Sequence, residues 1–168
     1  MYLAAFGQMK KQLGQLSKWL DKASAYAETR KFDAANFLGL RLAPDQLPLS
    51  RQIGIACDTV KLGAARITGK DAPSHADDQT TFGHFKERIA SVISYLDGFT
   101  AKDFETAATR SVTTPRWEGK TMTGHDYFLE HVMPNFYFHL AHVYALLRHG
   151  GVELGKADYL GALTQKAP

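Results

Sequence analysis

The chain has a single cysteine, Cys57. That excludes an internal disulfide and any cysteine-pair metal finger, and it makes a reducing cytoplasm the default setting. No apolar run approaches the roughly 18 residues of a membrane span. Met1–Phe6 leads into Lys10 and Lys11 rather than a cleavage site, so the N-terminus reads as helix and not as a secretory signal. Charge of one sign is also scarce. The net charge is only +3, enough to favour an anionic ligand, and no basic stripe with interleaved aromatics offers a nucleic-acid surface. Several motifs are missing. There is no Glu-x-x-His of a di-iron bundle. There is no His-Glu-x-x-His, P-loop, dinucleotide glycine fingerprint or Gly-x-Ser-x-Gly. No repeat or low-complexity segment divides the chain, which is read as one domain over residues 1–168.

What is present is helical periodicity. Tyr2, Phe6, Met9, Leu13, Leu16, Leu20 and Ala23 recur at alternating four- and three-residue steps, the seam of one long helix. Residues 28–47 lose that pattern and read as a long connection lying across the other helices. Pro48 opens a second helix, whose stripe is Leu49, Ile53, Ala56, Val60, Ala64 and Ile67. A polar surface link over 70–80 follows. Thr80 or Thr81 then caps a third helix carrying Phe82, Phe85, Ile89, Val92, Ile93 and Leu96. Thr100 with Asp103 reads as a capping box. β-branched residues on both sides of Pro115–Gly119 predict a small hairpin. Thr123 with Asp126 caps a fourth helix that ends at Gly150-Gly151, followed by an ordered tail. The expectation is an all-α four-helix bundle. Its long first connection would let helices 1 and 2 run in the same sense.

Chemistry concentrates on the fourth helix. Pro134 to Tyr144 is almost wholly apolar and aromatic, yet it contains His139 and His142. At about 100° per residue these two imidazoles sit one turn apart and roughly 60° around the axis, close enough to share a ligand. His131 is too far along the helix to join them unless Pro134 distorts it. Zinc or a similar cation needs a third protein ligand. The second helix offers Cys57 and Asp58, with Lys61 one turn later. Asp58 is read either as a ligand or general base tuned by Lys61, or as the acid of an ordinary ion pair. Cys57 is a soft ligand or a small core residue. His75, His84 and His125 are assigned to the surface.

Four stretches carry a family likeness: Pro48–Ile53, Cys57–Lys61, Pro134–His139, and Leu147–Val152 with Gly155–Leu160. Together they resemble the domain-of-unknown-function family numbered nineteen-ninety-three, within the DinB/YfiT-like metalloenzyme superfamily. The resemblance implies an up-up-down-down bundle, commonly dimeric, with no activity assigned to this branch. It also implies a divalent metal such as zinc or nickel, held by one histidine from helix 2 and two from helix 4 spaced by four. His139 matches the first helix-4 ligand. The position four residues on is Val143, and helix 2 has no histidine. The metal is therefore either held by an altered set, Asp58, His139 and His142, or absent, and the broken triad tips the reading toward absence.

Two functions remain. One, implied by the resemblance, is a divalent-metal-dependent enzyme acting on a small molecule, thiol transferase- or isomerase-like, using Asp58, His139 and Lys61 in a pocket between helices 2 and 4, with Arg51 as a further anion contact. The other is a non-catalytic homodimer that binds a small ligand or a protein. In that case Asp58, Lys61, His139 and Tyr144 form a buried network that fixes helix register.

Overall fold

The computed structural model describes residues 1–166. Its elements are mostly helical: α1 (Tyr2–Thr29), α2 (Leu49–Thr68) and α3 (Phe82–Asp97), then a short antiparallel pair, β1 (Ser111–Val112) and β2 (Met122–Thr123). The next helix, α4, is continuous and built from Gly124–Asp126, a π-helical turn at Tyr127–Val132, and Met133–His149. A last turn, α5 (Lys156–Leu160), follows. Among the described residues no helix is long and apolar enough to cross a membrane.

The predicted signals act where expected. The Thr81 side chain accepts the His84 amide, and Thr123 accepts the Asp126 amide. Each satisfies an N-terminal N–H that has no partner inside its helix. Thr100 and Asp103 form the capping box. Gly69 ends α2 in the left-handed region, φ 77°, which a β-carbon would strain. The apolar stripes meet inside: Leu13, Leu16, Leu20, Ile53, Val60, Ile89, Val92, Phe136, Leu140 and Val143 are all buried. Each such side chain contributes roughly 1.5–3 kcal/mol by leaving water.

Residue pairs fix the sense of each helix. Lys10 meets Asp97 and Asp21 meets Lys86, so α1 and α3 are antiparallel. Tyr2 packs on Phe128 and Trp19 on Tyr144, so α1 and α4 run together. Gln52 meets His139 and Thr59 meets Asn135, so α2 opposes α4 and therefore opposes α1. The expected up-up-down-down order is corrected on this point: α2 and α3 share a sense, and α1 and α4 share the other. The reason lies in the two connections. The first one does not travel the length of the helices. It folds into a 3-10 turn, Ala34–Gly39, puts Phe37 against Phe82, and closes with the Leu49 amide donating to the Leu40 carbonyl. The second, residues 70–81, forms neither helix nor strand, so its full contour is available to span distance. At about 3.3 Å per residue it reaches roughly 40 Å, more than the roughly 24 Å axis of a 16-residue helix such as α3. The polar link is thus the crossover strap between two parallel helices.

Pro134 distorts α4 as its missing N–H requires, and the distortion takes the form of the π-helical turn just before it. α2 comes close there. A β-carbon on Gly63 would stand 2.7 Å from Val132 Cγ1. The tail is ordered through Val152 and Leu154, both buried, and Tyr159, which stacks on Trp19. Leu160, expected to be covered, is exposed.

Candidate functional site

The polar residues singled out in the sequence fall on two different seams of α2. On the seam with α3, Asp58 accepts a hydrogen bond from Arg88 and forms an ion pair with Lys61, while its Oδ1 has no hydrogen-bond donor among the described residues. Lys61 Nζ lies 2.9 Å from Oδ1 and Arg88 Nη2 2.7 Å from Oδ2. The Lys61 and Arg88 side chains are only 5% and 3% exposed, while Asp58 is 32% exposed. Burying a cation is tolerable only when it is paired. Arg88 also donates through Nη1 to Asp77 Oδ1, Gln79 Oε1 and the Ala76 carbonyl, and Asp77 receives Arg51 as well. The hydrogen bonds from Arg51 and Arg88 hold the Asp77 carboxyl below the usual carboxylate range.

His75 completes this cluster. Lys61 can only donate, so its 3.0 Å contact makes His75 Nδ1 the acceptor, and His75 Nε2–H donates to Ser91 Oγ at 2.9 Å. Burial, then the Lys61 and Arg88 charges, lower the His75 pKa. His75 is therefore not the loose surface residue expected from the sequence. Because its proton sits on the nitrogen facing Ser91, it cannot take a proton from that serine.

The seam between α2 and α4 holds the second cluster. Gln52 Nε2 donates to the Leu47 carbonyl, which leaves Gln52 Oε1 to accept from His139 Nδ1–H at 2.6 Å. His139 is 7% exposed. Burial, with His142 adding to it, pushes its pKa down to about 4, so near neutrality it is uncharged with Nε2 as an acceptor. Next to it, Asn135 donates to Thr59 Oγ1 at 2.7 Å. His142 is half-buried and donates Nδ1–H to the Phe138 carbonyl at 2.8 Å, with its ring against Phe138. Cys57 is fully buried and its thiol is pushed up to about 12 by burial, which makes it a core residue and a poor soft ligand. Tyr144 belongs to neither cluster: its hydroxyl donates to the Leu154 carbonyl and its ring meets Trp19. Trp117 packs edge-on against Tyr127.

The family model for Domain of unknown function (DUF1993) matches residues 1–160. The chain belongs to this family. A crystal structure of a DinB family member from Shewanella denitrificans superposes with a TM-score of 0.93 at 50% identity, covering 97% of this chain and 93% of that one. No functionally curated protein matches.

For a member of this family the metal question turns on donors. Asp58, His139 and His142 are not brought together: Asp58 faces α3, and His139 faces Gln52 across the other seam. Among the described residues no three His, Cys, Asp or Glu side chains converge as a metal-binding group. The two cations on Asp58 would also oppose a third positive charge there. The donor set does not fit a divalent metal. The helix-2 side chain that meets His139 is Gln52, an amide in place of the imidazole that a three-histidine site would use. Sequence reasoning passed over Gln52, Arg88, Asp77 and Ser91. One signal was available for Arg88, which sits one turn after Phe85 and one turn before Val92, on the apolar stripe.

Proposed function

We propose that this DUF1993 member is a non-catalytic helical binding module, a single-domain four-helix bundle working as a homodimer, with its polar clusters serving to set helix register. The observation that carries this reading is that the acid and the cations proposed for chemistry are already committed. Each oxygen of Asp58 has a buried cation, and Lys61 is shared between Asp58 and His75. A carboxylate flanked by two buried cations is stabilised in its ionised form as a counter-ion, which makes it a weak proton acceptor. Its lone buried cysteine fits a cytoplasmic setting.

The dimer is placed on the outer face of α4 beside α2. Phe138 is 53% exposed there, flanked along the helix by Pro134 and Ala141, while Ile55 on α2 is half-buried. A protruding aromatic on such a face suits an interface centre. Sedimentation velocity tests it. The parent runs as a dimer at micromolar concentration and Phe138→Asp as a folded monomer with an unchanged circular dichroism spectrum. A parent that stays monomeric at that concentration contradicts the placement.

One observation favours the enzyme reading: His139 is neutral near pH 7, and among the described residues nothing donates to its Nε2, as a general base requires. His139→Ala separates the two. Loss of ligand binding or turnover without loss of stability supports a site, and loss of stability alone supports the network.

A further inference from the structure

The strap over 70–81 has no buried residue of its own, so apolar packing does not hold it down. Three polar attachments do: Lys61 to His75 and His75 to Ser91; Arg51 and Arg88 to Asp77; and Arg88 to Gln79. Beneath it, His84, Glu87, Arg88 and Ser91, at helical spacing on one face of α3, line a groove of about 480 Å³ together with the strap. The strap and α3 thus flank an open polar groove, with the strap attached through hydrogen bonds and ion pairs.

We propose that His75 is an acid-operated latch, whose protonation at Nδ1 releases the strap from the α2–α3 seam. The argument is one of donor and acceptor. Lys61 Nζ has three N–H donors and no lone pair. Once a solvent proton occupies Nδ1, the 3.0 Å contact becomes donor against donor and charge against like charge. The groups around His75 do not offset this. From α2 it meets Lys61 and, beyond it, Asp58, which is already shared by Lys61 and Arg88. From α3 it meets Ser91 and Arg88, with Glu87 and His84 farther along the groove. On the strap itself, Asp77 is held by Arg51 and Arg88, and Asp78 lines the groove mouth. Burial and the two cations delay the proton to below the ordinary histidine range. Asp77 stays ionised through that window because its own carboxyl is held lower still than usual.

Backbone 15N relaxation of residues 72–79, recorded from pH 7.5 to pH 5 alongside the His75 ring shifts, reads the latch directly. In the parent chain, order parameters of the strap fall from about 0.85 toward 0.6 as the ring shifts report protonation, while the α1 amides stay rigid. His75→Gln keeps both attachments, since its Oε1 accepts from Lys61 and its Nε2 donates to Ser91, but it does not titrate. Its strap stays ordered over the whole range. Equal loosening in the parent and in His75→Gln overturns the proposal, as does a strap that stays rigid after His75 is protonated. Unfolding of the whole chain in step with the strap overturns it too.

Discussion

Removing the charge of Asp58 while keeping its shape, Asp58→Asn, leaves Lys61 without its acid and Arg88 with Asp77 alone. Lys61 and Arg88 are 5% and 3% exposed, so neither can turn to water for compensation without moving α2 against α3. Breaking a buried pair by deleting one partner costs about 3–5 kcal/mol. Asp58 is itself 32% exposed, so some water reaches the site and the lower end applies, about 3 kcal/mol. For a chain of this size each kcal/mol shifts the melting temperature by roughly 2–4 °C, which puts the loss at about 6–12 °C. A urea titration measures it, with the midpoint falling and the slope unchanged. A catalytic acid behaves in the opposite way, because active-site strain is commonly relieved by such replacements. Melting of Asp58→Asn within about 2 °C of the parent would refute the idea that this cluster is structural.

Further outcomes follow from the same geometry. His139 has a folded pKa of about 4 against an ordinary 6.5, so folding favours its neutral form. Its contribution is complete above about pH 6.5 and is lost as pH falls toward 4, since the unfolded chain then binds the extra proton. The gap is worth at most about 3 kcal/mol at 1.36 kcal/mol per pH unit. The pH dependence of stability of His139→Gln, compared with the parent, should flatten by up to that amount between pH 6.5 and 4. Gly63→Ala drives a β-carbon to 2.7 Å from Val132 and should lower stability by about 1–3 kcal/mol in the same titration. Gln52→Leu removes the acceptor of His139 Nδ1–H and the donor to Leu47. It should cost about 1–3 kcal/mol and raise protease cleavage around Leu47.

The sequence carried the helices well, because each has a 3.6-residue apolar stripe and a cap that can be named: Thr81, Thr123, and Gly69 at a left-handed stop. It misleads on the order of the helices, because the length of a connection does not by itself mark the crossover. The 30–48 connection spends its residues on a 3-10 turn and on seating Phe37, whereas 70–81 has no helix or strand to shorten it. Asp58 and His139 both stand out in the sequence as polar residues among apolar neighbours, but the structure puts them on different seams of α2. Gln52 and Asp58 are six residues apart on α2, roughly 120° around its axis, so His139 and Asp58 meet different neighbours. Arg88 was legible only as a charge interrupting an apolar stripe. His75 was not legible at all, since its partner Lys61 is brought to it by the path of the strap.

Isothermal titration of untagged protein with zinc, nickel and manganese tests the central claim, that the polar clusters hold helices rather than a metal. The account predicts no binding tighter than about millimolar for any of the three ions. Stoichiometric micromolar binding that disappears in both His139→Ala and Asp58→Asn would contradict it.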